Sequence, residues 1–497
     1  MTTKKLRVGL LLNSLRVPAW TFDSIRRIVD SDATELALVV LNETPALHKS
    51  VVHKIWGKRD RLVYLFYTRI DDLLFGRKQN PLALKEAGEL LAHVSTLRVT
   101  VTQKRFSDYF APADVEFIQQ QNLDVLVRFG FRILRGEILN AARFGVWSYH
   151  HADNRINRGS PPCFWEVMEK WPETGITLQI LSEDLDAGRV IYRSSVRTHK
   201  YSPAANRSLL YWTSAGILPR QLDRLHRVGP DRFQTETELL NPPLAFYDRW
   251  LYKPPSNARA TLLAVRIAGR IVGQALRRLF VVDHWRLLFD LGDGISTSIR
   301  RYKEIVPPGD RFWADPHLIA ANGRYYVFVE DYAFKERKGR ISVIEIDEDG
   351  HATDAVPVLE RDYHLSYPFV FEWEGKYYMV PETRANETIE LYESSEFPHK
   401  WQWKMDLMEG LRAIDTTLFH QNGKWWLFAS VQEHEAGSPD SELFLFSADT
   451  LFTDQWTPHP KNPVVSDVTN ARPAGRIFTL GSKTYRPAQN SSVRYGY

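Results

Sequence analysis

Cysteine is nearly absent: Cys163 is the single one in 497 residues. One thiol cannot close an intramolecular disulfide, so the fold must hold without cross-links, and such usage fits a reducing compartment. Its place between Pro162 and Phe164, at the head of an apolar stretch, reads as a small buried filler rather than a nucleophile. Long apolar runs are missing as well; none reaches the roughly eighteen residues that a spanning helix needs. No secretory signal is expected, since Lys4 and Lys5 lead straight into a run, Leu6 to Leu12, that is too short and reads as a buried first strand. No Gly-x-Gly-x-x-Gly follows that strand, which argues against a dinucleotide site. Net charge is only +4, too little to imply nucleic acid, and none is expected as a partner.

What is present describes a soluble globular chain, 44% apolar and 25% charged, too long for one ordinary core. The expected division is 1–228 as an α/β domain, 229–282 as a linker with a basic helix, and 283–497 as an all-β domain. Leu6 to Asn13, a helix near Thr21 to Val29 and Leu36 to Leu41 make a βαβ start, which predicts a parallel sheet covered on both faces. Asp124 to Gly130 reads as another buried strand of that sheet. The stretch from Gly145 to Gly188 carries the densest chemistry. Val146 to Tyr149 is a short strand, so Ser148, His150 and His151 fall at its carboxyl end, where open α/β sheets place ligands. Asn154 and Arg158 follow in the loop, and Pro161 and Pro162 fit the first turn of a helix through Phe164, Trp165 and Met168. Thr174 to Ser182 alternates as a half-buried strand does, and the turn after it carries Asp186, placed to orient a strand-end histidine.

Ser148-Tyr149-His150, Arg158-Gly159, Thr174-Gly175 and Leu185-Asp186-Ala187-Gly188 occur in that order. In order and spacing they resemble the folate-dependent formyltransferases, whose pattern is Asn-x-His, Arg-Gly, Thr-Gly and Leu-Asp-x-Gly. The resemblance covers roughly residues 5 to 225. It implies 10-formyltetrahydrofolate as cofactor, His150 as oxyanion donor, Asp186 as its orienting partner and proton acceptor, and Phe129, Gly130 and Phe131 as backbone lining of the pterin pocket together with Asp186. One departure stands out: the family Asn is Ser148 here, which leaves room for help from His151 or Asn154.

Asn257 to Phe280 differs in kind. Arg259, Arg266, Arg270 and Arg277 fall within about 20° of one line on a helix, and apolar residues fill the rest of the circumference. Residues 251–286 hold seven Lys or Arg and one Asp, a net +6, which leaves −2 for the rest of the chain. Such a helix either lies between domains with its arginines paired or solvated, or docks on an anionic membrane surface.

From Trp285 onward the chain is strand-rich and repeats. Gly323, Gly375 and Gly423 each sit between a strand and an aromatic strand, 52 and 48 residues apart, the period of propeller blades. A fourth, imperfect copy surrounds Gly481. Asp315 and Asp415 each lie eight residues before their glycine, and Glu330 and Glu382 each lie seven after. Equivalent positions on successive blades converge on a central channel, so these four are expected at one mouth, with Arg472 as the basic neighbour. Carboxylates there can hold sugar hydroxyls, bind a cation or work as an acid and base pair; alternatively they are solvated strand ends. Residues 283 to 497 resemble the five-bladed propellers of arabinanase-like glycosidases, and more closely the propeller-like N-terminal region of glucosamine inositolphosphorylceramide transferases.

The fold class expected is therefore multidomain, an α/β formyltransferase-like parallel-sheet domain followed by an all-β propeller domain. The resemblance implies an enzyme that moves a formyl group to the amine of a sugar or nucleotide sugar, with His151, Asn154, Arg158 and the four propeller carboxylates as substrate contacts. Two alternatives stand beside it: a transferase scaffold carrying a glycan-binding or glycan-cleaving propeller, or a membrane-associated glycan-assembly protein. The expected location is cytoplasmic, peripheral at the inner membrane face if the basic helix docks. No metal site is expected.

Overall fold

Strand and helix periodicities sort the first half of the chain into a two-faced sheet. The structure, a computed structural model, describes residues 4–45, 58–76, 79–104, 106–183, 188–242, 247, 249–282, 284–292 and 298–493. They form two units, residues 1–274 with 434–438 and residues 275–433 with 439–497.

The sheet of the first unit comprises β1 (Leu6–Leu12), β2 (Thr34–Asn42), β3 (Ser95–Val99), β4 (Val125–Arg128), β5 (Val146–His150), β6 (Glu173–Ile180) and β7 (Arg189–Arg197), in the spatial order β7-β6-β5-β4-β1-β2-β3. β5, β4, β1, β2 and β3 run parallel, and β6 and β7 are antiparallel additions at one edge. Alternation assigns the faces. Val8, Leu10, Leu12, Val127 and Trp147 join a core with the helix Pro203–Val228, whereas Leu11, Leu38, Val40, Leu126 and Val146 join another with the helix Pro112–Gln120. Each fully buried Leu or Ile in these layers contributes about 1.5–3 kcal/mol. The helix expected from Pro161 shrinks to one turn, Trp165–Met168, because Pro161 and Pro162 lie in the loop before it.

The first unit runs past residue 228, where a boundary was expected. Most of the described part of the expected linker is helix: Pro230–Glu238, begun by a proline at its first turn, and Asn257–Phe280, which docks Leu263 and Ile267 against Phe164, Trp165, Val167 and Met168.

In the second unit three antiparallel sheets follow one another. Their first strands are Arg311–Ala321, Ser366–Trp373 and Ala413–Gln421, and each meander has at least four strands. The first hairpins turn at Asn322-Gly323, Glu374-Gly375 and Asn422-Gly423, with φ of 51° and 71°, 49° and 75°, and 56° and 72°. Two successive positive φ values match the twist of a hairpin, and this is why glycine recurs there. The fourth copy is a two-stranded hairpin, Phe478–Leu480 with Lys483–Tyr485, turning at Gly481. Among the described residues no further four-stranded sheet follows.

Candidate functional site

Parallel register builds the polar row of the first unit. Ser148 on β5 pairs with Arg128 on β4 and with Gln179 on β6, so the three side chains share one face at the carboxyl end of the central strands. Arg128 Nη1 donates to Ser148 Oγ at 3.0 Å and Arg128 Nε to the Gly130 carbonyl at 3.2 Å. Two residues on, His150 faces the same side. Its Nε2 lies 2.7 Å from the Asn157 carbonyl. A carbonyl only accepts, so Nε2 carries the hydrogen. Asn157 Nδ2 in turn donates to Glu166 Oε1 at 3.0 Å, and burial raises the Glu166 carboxyl above its ordinary range. Burial likewise raises the Cys163 thiol, which suits its role as inert filler.

The turn Phe129-Gly130-Phe131 wraps over the end of β1. Phe129 and Gly130 donate their N–H groups to the Leu11 carbonyl at 3.1 and 2.8 Å, and Phe131 donates to Asn13 Oδ1 at 2.8 Å. A Cβ on Gly130 would sit 2.5 Å from the Asn13 nitrogen. Gln179 Oε1, Asn154 Oδ1 and Asn157 Oδ1 are buried acceptors without a partner.

Not all the expected residues share this face. His151 follows His150 on a strand end where side chains alternate, and it points the other way: its ring stacks on Tyr211 at 4.0 Å and meets Trp20 edge-on at 5.3 Å. Burial holds it neutral, pushed down to about 3, so it cannot assist Ser148 as a cation. Arg158 turns back, donating to the Asn154 carbonyl and lying over Tyr247. Asp186 lies outside the described residues. Arg128, Asn157 and Glu166 were missed from sequence; only the alignment of Arg128 with the end of a strand hinted at the first.

The second unit gathers acid instead. Each first strand is interrupted at the same place, between Ala314 and His317, Ser366 and Phe369, and Ile414 and Thr417. Asp315, Tyr367 and Asp415 occupy those bulges with φ of 50°, 42° and 53°, a left-handed turn that re-aims the side chain. Glu330 and Glu382 sit opposite, paired with Ala314 and Ser366. The charges of Asp315, Glu382 and Asp415 all reach Glu330, which places the four carboxyls together. Burial first, and then the Asp415 charge, lifts Asp315 to about 7 and Glu382 to about 8; burial with Asp315 and Glu382 lifts Glu330 well above its usual range. Arg472 is the cation among them. It grips Asp415 through Nε at 2.5 Å and Nη2 at 3.2 Å, and Asp440 through Nη1 at 2.9 Å. Asp315 Oδ2 is buried without a partner. Among the described residues, only the exposed Asp347, Asp349 and His351 approach closely enough to hold one metal ion; the central carboxylates do not.

Residues 301–497 match the family described as glucosamine inositolphosphorylceramide transferase 1, N-terminal. The protein of that name from Oryza sativa subsp. japonica is 32% identical over 188 residues, 37% of this chain and 25% of the relative. A methionyl-tRNA formyltransferase from Prochlorococcus marinus is 30% identical over 120 residues, 24% of this chain and 34% of the relative. Among solved structures, glycinamide ribonucleotide transformylase 1 from Symbiobacterium toebii is similar at 14% identity and a TM-score of 0.30, over 45% of this chain and 89% of that one. The chain thus spans about a quarter of the first of these relatives and about a third of the second. It is similar to transferases of two kinds, formyltransferases and glucosamine inositolphosphorylceramide transferases, each over less than half of its length.

Proposed function

We propose that the first unit transfers a formyl group from 10-formyltetrahydrofolate to the amine of a sugar or nucleotide sugar. The observation that carries this reading is His150 at the carboxyl end of β5, its Nε2 fixed on the Asn157 carbonyl, on the same face as the Arg128 guanidinium held on Ser148. The residues fit the cofactor: buried, partnerless acceptors on Gln179 and Asn154 suit a ligand rich in N–H donors, and the 129–131 turn is held rigid against β1. Bound, the folate would supply an activated formyl carbon. On the protein side, the His150 imidazole takes the proton that the attacking amine sheds, in the role general bases fill in such reactions. Arg128 places a permanent positive charge where the family pattern has an amide, and so offsets the missing Asn in stabilising developing oxyanion charge. Asn154, Asp186 and the 129–131 turn stand as binding candidates in this reading.

The test is incubation of the purified chain with 10-formyltetrahydrofolate and a panel of free and nucleotide-linked amino sugars. A mass gain of one formyl group on an acceptor supports the reading. Absence of product with every acceptor, together with no folate binding by calorimetry, rejects it.

For the second unit we infer saccharide binding rather than hydrolysis at Asp315, Glu330, Glu382 and Asp415. Cleavage needs one carboxyl protonated and another free as a base. Asp415 is taken up by Arg472, and the equivalent bulge of the middle sheet presents Tyr367, whose hydroxyl is engaged with Thr417 and the Gly475 N–H. Release of sugar from arabinan, xylan or an aryl glycoside, abolished by Asp315→Asn, would reverse this assignment.

A further inference from the structure

The helix Asn257–Phe280 buries only one side. Ala260, Leu263 and Ile267 are enclosed, and on the same side Arg270 donates to the carbonyls of Val167 and Met168, both at 2.8 Å. Arg259 lies over the Trp165 ring. The opposite side breaks the usual rule for surface helices, which turn charge toward water. At 100° per residue, Leu262, Val265, Val272, Leu276, Leu279 and Phe280 fall within an arc of about 100°. They are 50%, 64%, 57%, 51%, 75% and 83% exposed. The helix contains five arginines and no acidic residue. Of these, Arg266 is exposed at one margin of the apolar arc, about 40° beyond Leu262.

A second helix, Leu62–Phe75, also turns apolar residues outward. Tyr64 and Tyr67 turn inward to the same core that takes Leu263 and Ile267, and Asn257 Oδ1 accepts from the Val63 N–H at 3.0 Å. Outward it presents Phe66, Ile70, Leu73 and Leu74, 69%, 40%, 43% and 70% exposed, with Arg69 among them. Large exposed apolar surface on helices marks an interaction site.

We propose that these outward faces are a docking surface for an anionic lipid bilayer, with the apolar arc of Asn257–Phe280 seated in the headgroup and acyl boundary and Arg266 at its margin on lipid phosphate. Charge decides between occupants. A second copy of the chain meeting this face across a two-fold axis would bring arginine rows together, a like-charge contact with no acidic residue on the helix to relieve it. An anionic bilayer instead satisfies both features, apolar area and positive margin. The helix lies on the bilayer; no helix among the described residues is long and apolar enough to cross one.

The experiment is vesicle flotation of the full chain, with phosphatidylcholine alone and with phosphatidylcholine mixed with phosphatidylglycerol, at low and high salt. The wild type should float with the mixed vesicles, weakly with the neutral ones, and less at high salt. Val265→Asp, Val272→Asp and Leu279→Asp together should abolish flotation. Arg69→Glu and Arg266→Glu together should weaken it by roughly 30-fold at low salt, the size expected for two basic residues near a charged surface, and should flatten the salt dependence. The lipid series with unaltered protein carries the test even if a variant fails to fold. Equal binding to both vesicle types, no binding to either, or self-association lost in the aspartate variant without any vesicle binding would each overturn the proposal.

Discussion

Two polar clusters stand at strand ends in this chain, and they are built in opposite ways. In the first unit Arg128, Ser148 and Gln179 meet because three neighbouring strands fall into register, and a histidine is added from the same strand. In the second, one bulge is repeated three times, and each repetition delivers its residue to the same region. The first cluster holds a cation and a base; the second holds four carboxyls around one arginine. Catalysis by proton transfer needs few groups, each placed singly, whereas gripping a polyhydroxylated ligand is served by equivalent groups placed around it. The contrast teaches that a repeat converts sequence period directly into convergence, while a parallel sheet hides its neighbours behind crossovers.

The sharpest way to break this contrast is to remove one member from each cluster. His150→Ala should lower the rate of formyl transfer by about 10²–10⁴ with folding unchanged, read as kcat in the formyl-transfer assay; a rate within a few fold of wild type would remove His150 from the chemistry. Arg472→Met should act on folding instead. It leaves the buried Asp415 and Asp440 without their cation, a loss of about 3–5 kcal/mol, visible as a lowered denaturation midpoint. A midpoint that stays put would mean that the acidic cluster is neutralised by other means.

A smaller effect probes rigidity. In Gly130→Ala the new methyl group would meet the Asn13 nitrogen at 2.5 Å and the Leu12 carbonyl carbon at 2.8 Å, both backbone atoms that cannot swing aside. A cost of about 1–3 kcal/mol is expected for such overpacking, with weaker folate binding in proportion. Unchanged stability and binding would show that the turn adapts, and with it the comparison between a rigid first site and a repeated second one would fail.

Much of the fold was legible, and the reasons are local. The βαβ start was readable because the apolar period switches between Leu6 to Asn13, the helix near Thr21 to Val29 and Leu36 to Leu41. The three hairpins were readable because only certain residues accept two positive φ values in succession. The gathering of Asp315, Glu330, Glu382 and Asp415 followed from counting residues from those turns. Arg128 was not legible as a partner of Ser148, since twenty residues and a crossover separate them in the chain. The opposed directions of His150 and His151 follow from strand alternation, but chemistry drew both to one cleft in the sequence reading. The apolar outer arc of Asn257–Phe280 was visible as composition; which side was covered required the packing of Leu263 and Ile267.

The smallest effect separates the units by pH. Asp315 is lifted from an ordinary 3.8 to about 7 and Glu382 from 4.5 to about 8, burial being the main cause in both. At low pH both groups are protonated folded or unfolded, and the folded state keeps its full stability. As pH rises past the ordinary values, the unfolded chain releases these protons while the folded chain retains them, so stability falls until the folded values are passed. In the first unit the sign reverses for His151, held at about 3: the unfolded chain binds its proton more readily, so its contribution is present above the ordinary histidine value and is lost as pH falls. His317, buried in the second unit and also near 3, opposes the carboxyls, and the comparison must therefore be made between variants. The Asp315→Asn, Glu382→Gln double variant should lose less stability than wild type between about pH 4 and pH 8. Both carboxyls keep some access to water, so the difference should be modest, roughly 2–4 °C in Tm, the displacement that about 1 kcal/mol makes in a unit of this size. Parallel Tm curves for the two proteins across that range would mean that the carboxyls exchange protons as freely folded as unfolded, and that the second cluster is an open rim rather than an enclosed site.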